Sequence, residues 1–374
     1  MDDSRVVTPP YLAGPLRLLP FRGLMLAPGR IGDPASARAF ARPYRDVARR
    51  LHTWEEQGQV RHDTEPAVYL HEYTSGGITV RGLVGALDIS RRADSRADRV
   101  VYPHEGIHPL QVAELADRML EMQMNPAPIL LVHRGHSEVR RIVQDVLTLA
   151  PDEHFTDRGA QTHRIWAIRD PERIAALDRA LATSRAMIAD GHHRYAAYVR
   201  LQQQDTSGAH DLGLAMLVDQ DDSPLFLGAI HRVLEGTTLA DLEQAAASNS
   251  VRFKRRAEVD AVAALAPEVL VATDGKDWAT LHLTVPRNSA AVEVLHQSVL
   301  PGLGHQPERI GYHHSVEEAL TRLAVTGGIA VLLPAPDFDL VLRIVAADRL
   351  LPEKATSFQP KPHVGVLIRS LRDG

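Results

Sequence analysis

The stretch Met187-Ile188-Ala189-Asp190-Gly191-His192-His193-Arg194 joins an apolar run to the start of a helix through a single glycine. The apolar residues predict a short buried strand, the glycine permits a tight turn, and residues 192–203 continue with a helical pattern. Strands that alternate with helices are typical of α/β or α+β proteins. The stretch therefore predicts a strand–turn–helix unit inside an α/β fold, with an α+β arrangement as the alternative.

The same alternation continues on both sides of this unit. Two apolar runs around Ser75-Gly76-Gly77 predict a hairpin, whereas residues 1–35 are rich in proline and glycine and predict an irregular lead-in. We expect mixed sheets with flanking helices. The predicted strands are 67–74, 78–89, 128–133, 163–168, 212–218, 225–233, 268–273, 278–284 and 328–333, and the predicted helices are 35–54, 112–124, 138–149, 171–184, 239–248, 287–299 and 315–324.

A polar patch, Gln202–His210, is the best candidate for a domain boundary. The length of 374 residues is compatible with two domains. We predict a phosphate-binding domain over residues 1–205 and a second α/β region over residues 206–374 that completes the pocket.

Composition excludes several classes of chemistry. The chain has no cysteine, which rules out disulfides, thiolate nucleophiles, cysteine–zinc sites and iron–sulfur clusters. A net charge of −5 lacks the basic footprint of a general nucleic-acid binder. No apolar run is long enough to span a bilayer, and Met1-Asp2-Asp3-Ser4-Arg5 does not begin a secretory signal. We expect a cytoplasmic protein without a membrane or nucleic-acid partner, whose oligomeric state the sequence leaves open.

The run Asp190-Gly191-His192-His193-Arg194 is the sharpest chemical signal. Positive charge at a helix N-terminus is unfavourable by up to about 1 kcal/mol per group, so three adjacent potential cations suggest that an anion binds there. Backbone N–H groups, two imidazoles and a guanidinium predict a phosphate site. Asp190 is a favoured N-cap residue, and it is also a candidate for binding Mg²⁺ or orienting an imidazole. The alternative is a capped helix with surface histidines.

A second candidate feature is Pro103-His104-Glu105, which follows a predicted strand. A neighbouring imidazole and carboxylate are suited to proton transfer near neutral pH. The pair alone is a weak signal, because such pairs are common on protein surfaces.

The residues Ile188–Tyr195 resemble the signature of a bacterial family known as domain of unknown function 1015. Other stretches that agree with the family occur in order along nearly the whole chain. They include Pro20-Phe21-Arg22-Gly23, Ala41-Arg42-Pro43-Tyr44-Arg45-Asp46-Val47, Pro103-His104-Glu105, His231-Arg232-Val233 and the segment 354–361.

The Asp-Gly-His-His-Arg run also resembles the nucleotide-binding motif of the ParB/sulfiredoxin-like superfamily, which includes free serine kinases. This resemblance implies a ParB/sulfiredoxin-like core in the N-terminal half, ATP or ADP as phosphoryl donor, and Mg²⁺. It implies that Glu105 is the catalytic base, and that Asp190 and His193 are catalytic, with Asp190 on the metal. The residues that would bind phosphate or nucleotide are Gly191, His192, Arg194, His104, Arg232, Lys354 and Lys361.

The function that follows is a nucleotide-dependent phosphotransferase for a small hydroxylated metabolite, with free L-serine as the best acceptor. The chain has Leu110-Gln111-Val112 where the family usually has Gly-Pro-Lys, which removes a lysine expected to contact phosphate. Two alternatives therefore stay open. One is a nucleotide-binding switch or regulatory protein without turnover, and the other is a phosphohydrolase that uses the same turn.

Overall fold

The structure, a computed structural model, describes residues 6–34, 36, 40, 47–205 and 207–372. Its strands, in chain order, are β1 (Leu12–Ala13), β2 (Leu18–Leu19), β3 (Gly23–Leu26), β4 (Val60–His62), β5 (Val68–Ser75), β6 (Ile78–Asp88), β7 (Arg99–Tyr102), β8 (Met124–Asn125), β9 (Ile129–His133), β10 (Glu153–Thr156), β11 (Thr162–Ile168), β12 (Ala186–Asp190), β13 (Leu212–Asp219), β14 (Phe226–Gly228), β15 (His231–Glu235), β16 (Arg252–Arg256), β17 (Val269–Thr273), β18 (Trp278–His282), β19 (Arg309–His313), β20 (Ile329–Leu332), β21 (Ser357–Gln359) and β22 (Ile368–Ser370).

The helices of the described residues lie between these strands. They are α1 (Val47–Glu56), α2 (Pro109–Met122), α3 (Ser137–Leu147), α4 (Pro171–Leu181), α5 (His192–Gln204), α6 (Leu239–Ser248), α7 (Glu258–Ala263), α8 (Ala291–Val294), α9 (Val316–Thr326) and α10 (Phe338–Ala346). None of them combines the length and the apolar character that crossing a bilayer would require.

The chain divides into two compact units. The first contains Met1–Leu225 and Pro360–Gly374, and the second contains Phe226–Gln359. The division therefore falls at Leu225, beyond the boundary we predicted at residue 205, because β13 pairs with β6 and β9 of the first unit. The last residues also return to the first unit, where β22 pairs with β3 and β8.

A ten-stranded mixed sheet is the centre of the first unit, with the order β1-β7-β12-β9-β13-β6-β5-β11-β10 and β2 paired to β6. Strand β9 reads Ile-Leu-Leu-Val-His and is buried along its whole length, as expected for a strand covered on both faces. The apolar core includes Leu131, Ile188 and Tyr195. A smaller sheet in the same unit has the order β4-β3-β22-β8.

The second unit has its own sheet and its own apolar core. Six strands follow the order β16-β18-β17-β20-β15-β19, and β14 pairs separately with β21. Val233, Val271, Trp278 and Leu323 are among the buried residues of its core. The two sheets with flanking helices confirm the predicted α/β class.

Most predicted elements are present, and the exceptions have identifiable causes. The hairpin is confirmed, with Ser75 opposite Ile78 at its turn. The predicted strand over 225–233 is wrong, because the apolar run is two strands, β14 and β15, that belong to different sheets. The lead-in is less irregular than expected, since it contains β1, β2 and β3. Much of the predicted helix over 35–54 lies outside the described residues.

Candidate functional site

The predicted strand–turn–helix unit is confirmed as β12, Gly191 and α5. Gly191 is the N-cap residue, with φ 93° and ψ 30° in the left-handed region. A side chain there would be strained, and its Cβ would lie 3.0 Å from Cγ2 of Ile129 and 3.1 Å from Nη2 of Arg194. Glycine lets the chain turn directly from a buried strand into a helix.

Asp190 does not cap the helix, contrary to one of our expectations. Its Oδ2 accepts a hydrogen bond from Nη2 of Arg194 at 2.7 Å, and its Oδ1 from Nζ of Lys361 at 2.5 Å. Burial alone would raise the pKa of Asp190, but the charges of Arg194 and Lys361 hold that pKa well below its usual range. The carboxylate is therefore ionised and is shared by two permanent cations.

Arg194 ties the start of α5 to the segment that leads into β9. Its Nη1 donates to the carbonyl oxygens of Ala127 at 3.2 Å and Pro128 at 2.8 Å. Together with the bond to Asp190, these contacts fix the guanidinium plane. The charge at the helix start is thus partly balanced by the chain itself, and the binding of an anion there stays a prediction.

His192 and His193 both contact the loop between β7 and α2. Nε2 of His192 accepts the backbone N–H of His104 at 3.3 Å, and Nε2 of His193 accepts that of His108 at 3.0 Å. A nitrogen that accepts carries no proton, so each imidazole can donate only from Nδ1. The two rings act here as neutral anchors for the loop.

His104 and Glu105 lie in that loop, next to the start of α5. The His104 side chain is 1% exposed, and its Nδ1 is 2.6 Å from the carbonyl oxygen of Ile188, which fixes Nδ1 as the donor. Burial lowers the pKa of His104, while Glu105 and Asp190 oppose that shift. Nε2 of His104 is 3.8 Å from Oε1 of Glu105. The loop thus holds His104, the neighbour of Glu105, against both β12 and the first residue of α5.

Two of the predicted ligands belong to the second unit. Arg232 is fully buried there, with Nη1 donating to the carbonyl oxygen of Ile230 at 2.7 Å, Nη2 to that of Glu353 at 3.2 Å and Nε to Nε2 of His296 at 3.2 Å. Lys354 follows Glu353 in the same unit. Their predicted contact with phosphate stays a prediction.

Sequence reasoning missed Tyr73 and the residues that hold the C-terminal segment. The hydroxyl of Tyr73 donates to the carbonyl oxygen of Pro360 at 2.6 Å, and burial with the nearby charge of Asp190 raises the pKa of Tyr73. The run Pro360-Lys361-Pro362-His363 was a usable signal, because alternating prolines stiffen a segment. Tyr73 itself lies in an ordinary strand and gave no signal.

The predicted role of Asp190 as a Mg²⁺ ligand does not fit this arrangement. Both of its oxygens face cations at 2.5 and 2.7 Å, so a dication would meet two positive charges. Across the described ranges, no group of three or more His, Asp or Glu side chains is placed to hold a metal ion.

The fold and site define an α/β protein with an ion-paired strand–glycine–helix centre in its first unit. The chain belongs to the family described as a protein of unknown function, DUF1015, which matches residues 22–303. No curated protein matches the chain by sequence.

Several solved structures are similar to the chain, including the following three. A free serine kinase variant in complex with AMP is 15% identical, with a TM-score of 0.42, over 71% of this chain and 88% of that one. A conserved hypothetical protein from Pyrococcus furiosus is 14% identical, with a TM-score of 0.42, over 73% and 93%. SbnI from Staphylococcus aureus, truncated at its C-terminus, is 12% identical, with a TM-score of 0.42, over 72% and 83%.

Proposed function

We propose that the chain is a nucleotide-dependent phosphotransferase that acts on a small hydroxylated metabolite, with free L-serine as the first acceptor to test. The observation that carries the proposal is the meeting of Lys361 and Arg194 on Asp190 at the start of α5. One carboxylate faces two permanent cations beside the N–H groups of a helix terminus, which is a suitable environment for phosphate oxygens.

Lys361 is the cation best placed to contact a phosphate. Its side chain is 39% exposed, whereas that of Arg194 is 23% exposed and is already bonded to two carbonyl oxygens. We therefore assign phosphate contact to Lys361 and the first-turn N–H groups, and a structural role to Arg194. His193 would assist only through Nδ1, because its Nε2 accepts the N–H of His108.

Glu105 is the proposed general base. Its side chain is 14% exposed, and the adjacent His104 is held in place by its bond to Ile188. Glu105 would take the proton of the acceptor hydroxyl as the hydroxyl oxygen bonds to the transferred phosphorus. The bond from that phosphorus to the nucleotide oxygen breaks, and the shortened nucleotide leaves with the electron pair. The resemblance implies Mg²⁺ with the nucleotide, but no step here depends on it.

The finer assignments stay predictions. These are the ParB/sulfiredoxin-like identity of the core, the choice between ATP and ADP, and a cytoplasmic location. The two-cation arrangement at Asp190 supports phosphate binding equally in a switch protein or a phosphohydrolase. Product analysis distinguishes these functions.

The test combines binding and turnover with matched variants. The protein is titrated with ADP and ATP by calorimetry, then incubated with each nucleotide and L-serine, and products are identified by mass spectrometry. We expect O-phosphoserine, with the rate lowered by roughly 10²–10⁴ in Glu105→Gln and nucleotide affinity unchanged. Glu121→Gln, an exposed glutamate of α2, is the control and should match the native protein.

Each other outcome has a defined meaning. Nucleotide binding without transfer to serine or other small alcohols would indicate the switch, and phosphate release without an acceptor would indicate a hydrolase. Either result overturns the phosphotransferase proposal. An absence of nucleotide binding would overturn the proposed site as well.

A further inference from the structure

The segment 360–363 belongs to the first unit and is hydrogen-bonded to residues of the N-terminal part of that unit. Tyr73 donates to the carbonyl oxygen of Pro360 at 2.6 Å. The side chain of Gln161 bonds twice, donating from Nε2 to the carbonyl oxygen of Lys361 at 2.8 Å and accepting the N–H of His363 at 3.1 Å. The backbone on either side of Lys361 is thus held by one glutamine from the turn before β11.

A carboxylate that is completely shielded from solvent holds the end of this segment. The Asp157 side chain is 0% exposed, and its Oδ2 lies 2.5 Å from Nδ1 of His363 and 3.0 Å from Nε2 of His163. Its Oδ1 accepts the backbone N–H of Gln161 at 2.9 Å. Nδ1 of His163 is 3.0 Å from Nε2 of His71. We call Asp157, His163, His71 and His363 the histidine clasp.

The hydrogen bonds of the clasp follow from the charge on Asp157. An ionised carboxylate only accepts, so Nε2 of His163 and Nδ1 of His363 both carry protons that they donate to it. Burial lowers the pKa of His163 and so favours its neutral ring, in which Nδ1 accepts and Nε2 of His71 is the donor. Burial alone would raise the pKa of Asp157, but the bonds from His163 and His363 lower it. His363 is the only clasp member that comes from the C-terminal segment.

The backbone around Lys361 is stiff, so the position of His363 constrains the position of Lys361. Both neighbours of Lys361 are prolines, which fix their own φ and hold the residue before them in an extended conformation. Only Pro362 separates His363, which bonds to Asp157, from Lys361, which bonds to Asp190. A lysine side chain on a free chain terminus would lose substantial conformational freedom on forming an ion pair. A backbone already fixed at both ends reduces that loss.

We propose that Asp157 and His363 are positioning residues that hold the segment 360–363 so that Lys361 reaches Asp190. The consequence for phosphate binding rests on the proposed function, but the placement of Lys361 does not. The variant His363→Ala removes the donor to Asp157, and His363→Asn keeps an N–H donor at the position of Nδ1. His154→Ala, an exposed histidine of β10, is the matched control.

The test measures the reactivity of individual lysines toward an acylating reagent by mass spectrometry. The chain has four lysines, and Lys276 is exposed in the second unit and serves as the internal reference. We expect Lys361 to react severalfold more slowly than Lys276 in the native protein and in His154→Ala. His363→Ala should raise the reactivity of Lys361 severalfold, and His363→Asn should restore its protection. Thermal unfolding of each variant shows that it is folded.

The results of the labelling distinguish a failure of this inference from a failure of the proposed function. Equal protection of Lys361 in the native protein and folded His363→Ala would overturn the clasp, as would a failure of His363→Asn to restore protection. The same labelling with added ADP tests the site. If ADP leaves Lys361 unchanged while His363→Ala exposes it, the clasp stands and the proposed function fails. If ADP protects Lys361 but His363→Ala has no effect, the function stands and the clasp fails.

Discussion

The backbone conformation of Gly191 determines where the charged side chains on either side of it lie. Its positive φ of 93° brings Asp190, at the end of β12, within reach of Arg194, one turn into α5. Any L side chain at this position would be strained, and its Cβ would crowd the guanidinium of Arg194 and the side chain of Ile129. The left-handed residue therefore determines the geometry of the ion pairs as well as the turn.

We expect Gly191→Ala to lower the free energy of unfolding by about 1–2 kcal/mol and to weaken nucleotide binding. The physical reason is the left-handed conformation together with displacement of Arg194. Urea denaturation and calorimetry with ADP measure the two effects. Gly29→Ala is the control, since, apart from its chain neighbours, no atom of the described residues lies within 4 Å of its added Cβ. Equal stability of the two variants would contradict the argument.

Buried histidines make the stability depend on pH. Burial, assisted by the charge of Arg232, lowers the pKa of His231 to about 4, from an unfolded value of 6.5. Between these values the unfolded chain binds a proton that the folded chain does not, so stability falls as the pH falls. The loss attributable to His231 is on the order of 3 kcal/mol at most.

His231→Asn should reduce this pH dependence. The asparagine oxygen can replace Nδ1 of His231 as acceptor for the N–H of Leu333, now at 3.1 Å, and it does not titrate. The measurement is the free energy of unfolding in urea at pH values between about 7 and about 4.5. We expect a shallower slope in the variant than in the native protein. Identical slopes would show that other groups account for the acid sensitivity.

The N-termini of α5 and α6 are capped differently. The N-cap of α6 is Thr238, which forms a reciprocal capping box with Asp241. The N-cap of α5 is Gly191, and no side chain in the described part of the chain caps that terminus. The first N–H groups of an α-helix have no acceptor within the helix, and in α6 the capping box satisfies part of this requirement. Because α7 also begins without a side-chain cap among the described residues, this contrast concerns helix stability and not function.

Thr238→Ala should destabilise the second unit by about 1 kcal/mol, because it removes the side-chain acceptor for the N–H of Asp241. Ser248→Ala, at the other end of the same helix, should change stability by less than about 0.5 kcal/mol. Both values come from urea denaturation. A loss in Ser248→Ala as large as that in Thr238→Ala would argue against the capping box as the cause.

The C-terminal residues belong to the first unit, so the two units differ in the number of chain segments that form them. The second unit is continuous, Phe226–Gln359, and contains its own six-stranded sheet. The first unit needs two segments, because β22 lies between β3 and β8 and Lys361 comes from the same segment. A chain cut after Leu225 lacks a strand of one sheet and a cation of the site.

We expect the fragment 226–359 to unfold cooperatively on its own, since its core includes Val233, Val271 and Leu332 from three strands of one sheet. The fragment 1–225 should be less stable than the first unit of the full chain and should lack the nucleotide affinity that we propose for the intact protein. Circular dichroism during thermal unfolding and calorimetry with ADP test these outcomes. Non-cooperative melting of 226–359 would show that it is not an independent folding unit.

Local patterns account for much of what could be predicted. The alternation of apolar runs and turns around Ser75-Gly76-Gly77, and the order of strand, glycine and helix at Asp190-Gly191-His192, are short-range features that backbone sterics and burial determine. The α/β class followed from them. The prediction of a single strand over 225–233 was wrong, because this apolar run forms two strands that belong to different sheets. Periodicity alone does not distinguish one strand from two.

Contacts between residues that are far apart in the sequence could not be predicted from it and are seen only in the tertiary structure. Lys361 and Asp190 are 171 positions apart, and His71 and His163 are 92 apart, so no local pattern relates them. The meeting of the loop 103–108 with the start of α5 depends on how β7 and β12 pair in parallel. Charged side chains and turn-forming residues can be identified from the sequence one residue at a time. The partner of a buried charge is determined only when the sheet assembles and excludes water.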